Sequence, residues 1–227
     1  RPPRSTLFPT RRSSDLVLIM LIFMDILGMD EAGRGSVLGP LVIAGVVVPE
    51  KMFKVLERMG VKDSKKLTPQ RRTILSRKLK KMFDYGVVII TASQIDEMRA
   101  NGINLNEIER KGMEKIILEL NPKKAVVDAV DVKAERFQEN LHQATGVDVI
   151  AQHKADDNYI EVGAASIIAK EVRDSQIEEI NKDFIKMGGI GSGYPSDPTT
   201  KKFLTNFTYE SMPDFVRKSW TTVAKMK

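Results

Sequence analysis

The alternation of mostly apolar runs with segments of helical periodicity is the feature that most constrains the fold. The apolar runs predict five strands, at 26–30, 41–48, 85–91, 125–130 and 147–152. The helical segments lie at 68–83, 104–120, 135–145 and about 157–181. Strands that alternate with helices favour an α/β fold in which helices cover the sheet. The first two strands can pair antiparallel, whereas strands separated by helices can lie parallel, so we predict a mixed five-stranded sheet flanked by helices.

Local signals place several helix ends. Thr68 is a candidate N-cap with Pro69 at the first helical position. Gly146 fits the C-terminal cap of the helix before it, and Asp157 is a candidate cap for the long helix. Glycine and proline punctuate the residues after 185, which predicts a small C-terminal helical appendage.

The chain is expected to contain one α/β domain with short additions. We predict an N-terminal extension at 1–24, an α/β domain at 25–185 and a C-terminal helical segment at 186–227. Residues 1–16 show no helical or strand period and resemble a translated sequencing adapter, so the extension is expected to be disordered or artefactual. The apolar run at 16–24 is about half the roughly 20 residues that a membrane helix needs. A cytoplasmic protein without membrane contact is therefore expected.

Charge and cysteine content limit the chemistry. The absence of cysteine excludes a disulfide scaffold, a cysteine-ligated zinc site and a cysteine nucleophile. The net charge is +6, of which residues 1–16 contribute about half. A polyanionic partner is permitted by this balance but not required by it.

Acidic residues follow or interrupt three of the predicted strands. Asp30 and Glu31 end the first strand, and Asp128 lies in AVVDAV, a segment with no other charge. Asp156 follows the fifth strand in the segment HKADD, whereas Asp131 lies beyond its strand and is expected to be solvated. Each of these acids can also be read as an ordinary strand-end charge.

Strand ends in an open α/β sheet form the usual ligand crevice. Four carboxylates gathered there without cysteine favour a hard cation, so Mg²⁺ or Mn²⁺ fits better than zinc. The loop that follows Glu31 carries Gly33, Arg34 and Gly35. Glycine lets a backbone approach a ligand closely, and an arginine fork suits phosphate.

Seven segments in order resemble the signature segments of ribonuclease HII, especially its archaeal form. They are DEAGRGSVLGP, GVKDSKKLT, DAVDVKAERF, HKADD, AASIIAKEVRD, GSGYPSDP and VRKSW. The resemblance runs from about residue 25 to the end and implies an RNase H-like fold. It assigns the catalytic and metal-binding roles to Asp30, Glu31, Asp128 and Asp156. It also assigns the recognition of the ribose to the backbone of Gly33-Arg34-Gly35 and to Tyr194.

The sequence departs from the family pattern at two places. Ser36 stands where proline usually follows the Gly-Arg-Gly loop, and we expect this to loosen the loop slightly. Ile160, Glu161 and Gly163 replace a more usual Pro-Val-Val-Ser-like stretch. Glu161 puts a charge where an apolar residue is expected, which leaves the start of the long helix open.

The activity that the resemblance implies is hydrolysis of the RNA strand in RNA/DNA hybrids and nicking on the 5′ side of single ribonucleotides in duplex DNA. Two divalent cations, Mg²⁺ or Mn²⁺, roughly 3.5–4 Å apart, would be held by the acids, with Asp30 bridging them. The products would carry a 3′-hydroxyl and a 5′-phosphate. Only the 2′-hydroxyl marks a ribonucleotide at a given position.

Several basic and polar residues are candidate phosphate contacts, and each can also be read as a solvated surface group. They are Ser64, Lys65, Lys154, Arg217 and Lys218. A monomer is expected, and a sliding clamp is a candidate partner although the tail KMK shows no clamp-binding motif. Two alternative functions stay open. One is a ribonuclease HIII-like enzyme that prefers long hybrids, and the other is a non-catalytic module that binds hybrids.

Overall fold

Five strands form one mixed sheet in the computed structural model, which describes residues 24–227. The strands are β1 (Asp25–Ala32), β2 (Leu41–Pro49), β3 (Tyr85–Ile90), β4 (Lys124–Asp128) and β5 (Asp148–Gln152). Their order is β3-β2-β1-β4-β5. β1 and β2 are antiparallel, as are β2 and β3, whereas β4 is parallel to both β1 and β5. The predicted mixed sheet is confirmed, and the predicted extension lies outside the described residues except for Met24.

Helices cover both faces of this sheet. In chain order they are α1 (Phe53–Met59), α2 (Pro69–Met82), α3 (Ala92–Ala100), α4 (Leu105–Leu120), α5 (Ala134–Thr145), α6 (Ala155–Asn158), α7 (Ile160–Phe184), α8 (Pro198–Leu204) and α9 (Thr221–Ala224). Apolar residues of α4 and α5 pack on one face, where Ile116 and Phe137 belong to the same buried cluster as Met29. Apolar residues of α1, α2 and α7 pack on the other face, where Leu79 and Ile168 are buried. The sheet is therefore covered on both sides, as its largely apolar strands require.

Capping accounts for where several helices begin and end. The hydroxyl of Thr68 accepts a hydrogen bond from the backbone N–H of Arg71, which confirms the predicted N-cap of α2. Gly146 ends α5 with φ of 71°, a left-handed conformation that glycine adopts at little cost. The prediction that Asp157 caps the long helix was wrong. The short helix α6 contains Asp157, and α7 begins only after Tyr159.

Close packing of α7 against β1 depends on a glycine in the strand. A β-carbon at Gly28 would lie 2.2 Å from the backbone carbonyl carbon of Glu161. Glu161 itself is buried, with 2% of its surface exposed. Its ionisable side chain therefore lies within the packed first turn of α7. The absence of a side chain at Gly28 lets this helix lie against the strand that carries Asp30.

The C-terminal part packs onto the end of α7 and onto the loop after β1. Ile190, Phe203 and Val216 share one apolar cluster with Leu38 and Ile177. Leu38 also forms an isolated antiparallel bridge with Val216. The predicted division at residue 185 stays a prediction, but this cluster brings the C-terminal residues beside the Gly-Arg-Gly loop. No helix within residues 24–227 is both long and apolar enough to cross a bilayer.

Candidate active site

Strand β1 carries the first two predicted acids. It does not end at Asp30 as predicted but continues to Ala32, so Asp30 pairs with Ala44 and Glu31 with Ile43. Because side chains alternate along a strand, Asp30 faces α7 and Glu31 faces the opposite side of the sheet. Burial raises the pKa of Asp30 to about 6, although a hydrogen bond to Ser166 acts in the other direction.

Glu31 is the more strongly perturbed of the two carboxyl groups. Burial raises its pKa to about 8, and the negative charges of Asp30 and Asp128 add to the increase. Its Oε2 atom is buried and has no hydrogen-bond partner among the described residues. A buried carboxylate oxygen without a partner is costly, so this position favours a proton or a cation.

Asp128 lies beside Asp30 because of the strand register. β4 is parallel to β1 with Val127 opposite Met29, and Asp128 is the next residue. The backbone N–H of Ala155 donates to Oδ1 of Asp128 over 3.2 Å. Burial raises the pKa of Asp128, partly against this hydrogen bond, and the charge of Asp156 adds to the increase.

Asp156 lies in the short helix α6, directly after β5. Its side chain is 7% exposed and its Oδ2 atom lies 3.2 Å from Nζ of Lys65. Lys65 also contacts Asp157, and the hydrogen bond to Asp157 is the main reason why the pKa of Lys65 is raised. The sequence-predicted ligand Asp156 therefore faces a positive group that the chain itself supplies.

The four acids lie near one another, but their side chains do not converge on a single ion-binding position. The charge of Asp30 raises the pKa of Glu31. The charge of Asp128 raises the pKa of both Asp30 and Glu31, and the charge of Asp156 raises the pKa of Asp128. In the part of the chain that the structure describes, no three acidic or histidine side chains are close enough together to hold one ion. The four candidate ligands nevertheless fit a hard divalent cation, because all of them offer carboxylate oxygens. The raised carboxyl pKa values and the Oε2 atom of Glu31, which has no hydrogen-bond partner among the described residues, are consistent with this.

The Gly-Arg-Gly loop forms a tight turn after β1. Gly33 has φ of 85°, and a β-carbon there would lie 2.6 Å from Nε of Arg173. The hydroxyl of Ser36 donates to the carbonyl of Gly33 over 2.9 Å. The Ser36 side chain thus bonds across the turn, and the expectation that this residue loosens the loop stays a prediction. Gly35 is exposed at the surface of the loop.

The Arg34 side chain points inward to helix α4 and is not free to grip a phosphate. One terminal nitrogen forms an ion pair with Glu109, and Nη2 donates to Oδ1 of Asn106 over 2.6 Å. Burial lowers the pKa of Arg34, and the charge of Glu31 opposes that change. The Arg34 guanidinium, which the sequence predicted as a phosphate contact, is therefore engaged by Glu109 and Asn106 of one helix.

Tyr194 lies in the same cleft as Glu31 and the Gly-Arg-Gly loop. This cleft has a volume of about 350 Å³, and its lining includes Glu31, Gly33, Arg34, Gly35, Lys170, Arg173 and Tyr194. The guanidinium of Arg173 lies 4.7 Å from the centre of the Tyr194 ring, and it donates to the carbonyl of Ser192 over 2.9 Å. The structure thus brings Tyr194, far away in the sequence, beside the loop and the acids.

The predicted phosphate contacts differ in their exposure. Lys154 is exposed and has φ of 57°, and Lys65 is exposed but paired with Asp156 and Asp157. Ser64 is 3% exposed, which leaves little of it to meet a phosphate. Lys218 is half-buried, and its backbone N–H donates to Asp96.

Arg217 does not fit its predicted role. It is completely buried, and it donates to the carbonyl oxygens of Gly39 and Arg34 over 3.1 and 3.0 Å. Its guanidinium lies 4.8 Å from the ring centre of Trp220. Burial lowers its pKa to about 9. It supports the backbone of the Gly-Arg-Gly loop and is not a surface contact for phosphate.

Sequence reasoning assigned no role to several polar residues of the cleft. Lys170 and Arg173 belong to the segment AASIIAKEVRD, which was recognised only as a signature, and Lys170 donates to Ser166 over 2.6 Å. Glu109 was missed, although a glutamate on the apolar face of a helix is a detectable anomaly. The prediction that Asp131 is solvated was wrong, since it is 6% exposed and paired with Arg136.

A larger cleft, of about 790 Å³, lies at the other end of the sheet. It is bordered by Met24 at the start of β1 and by Asn121 just before β4, together with Lys80 and Glu119. None of the sequence-predicted site residues lines it. The carboxyl groups with strongly raised pKa values and the Gly-Arg-Gly loop are at the opposite end of the sheet. The larger cleft therefore lacks the groups on which the predicted chemistry depends.

Comparison with known proteins gives consistent matches over nearly the whole chain. A family model described as Ribonuclease HII matches residues 27–223. The chain is 79% identical over 204 residues to ribonuclease HII of Methanobrevibacter smithii, a match that covers 90% of this chain and 99% of that relative. Ribonuclease H2 of Pyrococcus horikoshii is similar in structure, with a TM-score of 0.81, 42% identity and coverage of 89% of this chain and 97% of that chain. Ribonuclease HII of Archaeoglobus fulgidus, solved as a complex with PCNA, has a TM-score of 0.80, 41% identity and coverage of 87% and 96%.

Proposed function

The chain belongs to the ribonuclease HII family, and from that premise we propose that it hydrolyses the RNA strand of RNA/DNA hybrids and nicks duplex DNA on the 5′ side of single ribonucleotides. The observation that carries the proposal is one cleft that contains Glu31, the Gly-Arg-Gly loop and Tyr194, with Asp30 and Asp128 beside it. Acids that can bind cations and groups that can contact a ribose are thereby next to each other.

The proposed cation ligands are Asp30, Glu31, Asp128 and Asp156. When bound there, two divalent cations, Mg²⁺ or Mn²⁺, supply activation of the attacking water and stabilisation of the departing 3′ oxygen. The raised pKa values of Asp30 and Glu31 mean that protons compete with cations for these oxygens. The products would carry a 3′-hydroxyl and a 5′-phosphate, and no covalent enzyme intermediate is needed.

Recognition of the ribose is proposed for the loop backbone and for Tyr194. The left-handed turn at Gly33 and the absence of side chains at Gly33 and Gly35 let backbone groups approach a sugar closely. The Tyr194 ring, held against the guanidinium of Arg173, offers a flat face and a hydroxyl to the same sugar. Exposed Lys154 and the lysine at position 65 are proposed phosphate contacts that position the duplex without reading its sequence.

The test compares three duplexes of one sequence. One carries a single ribonucleotide, one is an RNA/DNA hybrid and one is all DNA. We expect Mg²⁺- or Mn²⁺-dependent cleavage of the first two, a nick 5′ of the ribonucleotide, and no cleavage of the third. Cleavage of the hybrid with no nick at the single ribonucleotide would support the ribonuclease HIII-like alternative. Tight binding of both with no cleavage would support the non-catalytic module.

A sliding clamp is a proposed partner. This proposal is supported by the similar protein of Archaeoglobus fulgidus, whose structure was solved in a complex with PCNA. Size-exclusion chromatography of the protein with an archaeal clamp is expected to give a joint peak, whereas separate elution at micromolar concentrations would reject this partner. The same experiment measures the mass of the protein alone, for which a monomer is expected.

A further inference from the structure

We propose that Glu109 is a positioning residue, which fixes the Gly-Arg-Gly loop through Arg34 and thereby sets how efficiently the ribose is recognised. The inference rests on the proposed function and deepens it, because it adds a residue of helix α4 to the site. Glu109 is fully buried at 0% exposure, in a helix whose other buried residues near it are Ile108, Gly112 and Met113.

A buried carboxylate needs a partner, and Arg34 is the partner that the structure provides. An ionised side chain in an apolar interior is unstable unless it is paired. Glu109 forms its ion pair with Arg34, which is 75 positions earlier in the chain, and it makes no other ion pair among the described residues. The neighbouring Asn106, one turn earlier on the same helix, accepts from Nη2 of Arg34. Helix α4 therefore holds both ends of the guanidinium.

This contact fixes a loop whose backbone is supported on its other sides as well. The carbonyl of Arg34 accepts from buried Arg217, and Gly33 lies against Arg173. The Ser36 hydroxyl closes the turn from within. With the arginine side chain engaged by Glu109, the peptide groups of Gly33 to Gly35 are held in one conformation at the wall of the cleft.

Arg34 also lies between two acids, and this gives the pairing a second consequence. The charge of Arg34 acts on Glu31, one of the proposed cation ligands, as well as on Glu109. Removal of Glu109 would leave Glu31 as an acid whose charge still acts on the Arg34 guanidinium. Glu109 thus keeps Arg34 on the side of α4 and leaves Glu31 to the reaction.

The experiment is a double-mutant cycle measured on the duplex with a single ribonucleotide. The variants are Glu109→Gln, Arg34→Ala and the combination of the two, in the full chain with saturating Mn²⁺. We expect Glu109→Gln to lower kcat by about 10- to 100-fold, since displacement of a positioning group by about 1 Å costs up to that factor. KM should change less than about threefold, because phosphate contacts elsewhere dominate duplex binding. The double variant should equal Arg34→Ala, since both changes act through the same side chain.

The matched control is Glu107→Gln on the same helix. Among the described residues the Glu107 side chain pairs with Arg110 and makes no hydrogen bond or ion pair to the loop, so this variant should keep the kcat and KM of the unmodified protein. Asn106→Ala provides a second route to the same answer should Glu109→Gln fail to fold, and it should lower kcat in the same direction with unchanged KM.

Two results would overturn the inference. One is an unchanged kcat in Glu109→Gln, or in Asn106→Ala if that variant must replace it. The other is independent, multiplying losses in the double variant, which would assign Glu109 a packing role unrelated to Arg34. The unmodified protein separates this inference from the proposed function. If it does not nick the ribonucleotide, the proposed function fails, whereas normal nicking with an unaffected Glu109→Gln rejects only the role of Glu109.

Discussion

Arg217 illustrates at the residue scale how burial changes the meaning of a basic side chain. Its two hydrogen bonds to the carbonyls of Gly39 and Arg34 need the planar fork of arginine. We predict that Arg217→Lys lowers the free energy of unfolding by about 2–3 kcal/mol, since hydrogen bonds from charged groups are lost inside the protein. Urea denaturation measures this change. Lys218→Arg, at the half-buried next position, should change the free energy by less than about 0.5 kcal/mol, and an equal effect of both variants would contradict the assignment.

Asp30 is the residue for which the account predicts the largest loss of activity. Asp30→Asn keeps the size of the side chain but removes the negative charge from a buried acid that lies beside Glu31 and Asp128. We predict a loss of nicking of more than about 100-fold, because even residues that only support metal ligands cost 10- to 100-fold. Asp131→Asn is the matched control, since Asp131 pairs with Arg136 outside the cleft. Undiminished nicking by Asp30→Asn would refute the proposed role of this acid.

The sequence did not indicate which of the charged side chains are buried. The charges of Arg34, Arg217 and Asp131 all read as surface or phosphate-binding groups, yet each is engaged by another part of the chain. The partners of Arg34 and Arg217 lie 72 to 183 positions away, and no local pattern specifies such a pairing. The acids were more predictable, because a carboxylate within or directly after a charge-free strand is unusual in itself.

At the scale of elements, the start of helix α7 carries a titratable group in its packing. Burial raises the pKa of Glu161 above its ordinary value of 4.5. The folded state therefore keeps a proton that the unfolded state loses above pH 4.5, so stability falls as the pH rises through that range. We predict that Glu161→Gln removes this contribution. The variant should match the unmodified protein near pH 4 and gain stability relative to it as the pH rises.

Urea denaturation at a series of pH values, with chelator present, measures the difference between the two proteins. Other carboxyl groups titrate equally in both proteins, so their contributions cancel in the difference. Glu57→Gln is a suitable control, because Glu57 is exposed and is not among the groups that act on the pKa of Glu161. A difference that stays constant from pH 4 to pH 8, or that shrinks as the pH rises, would contradict a raised pKa at Glu161.

Element boundaries were predictable where a chemical signal marks them. The N-cap Thr68 and the glycine at position 146 are such signals, and both function as predicted. Helix α3 was missed, although Thr91 and Gln94 form a capping box that announces it. The start of the long helix was misplaced because Asp157, a good cap by residue type, is drawn to Lys65 instead. Tertiary pairing outweighed local preference there.

At the scale of the whole molecule, the sheet explains why distant residues meet. Apolar runs were sufficient to predict five strands and a mixed sheet, because strands covered on both faces consist largely of apolar residues. The order β3-β2-β1-β4-β5 puts β1 and β4 side by side, and this brings Asp30 and Asp128 together. The approach of Tyr194 was not predictable from periodicity, since it depends on how residues after 185 pack on α7 and the loop.

The claim on which the whole account depends is that Asp30, Glu31, Asp128 and Asp156 together bind hard divalent cations. The most direct measurement is anomalous X-ray diffraction from crystals of the protein soaked in Mn²⁺. The account predicts manganese peaks within bonding distance of carboxylate oxygens from these four side chains, with Lys65 displaced from Asp156. Manganese bound only at other acids, or no peak at this end of the sheet at saturating Mn²⁺, would contradict it.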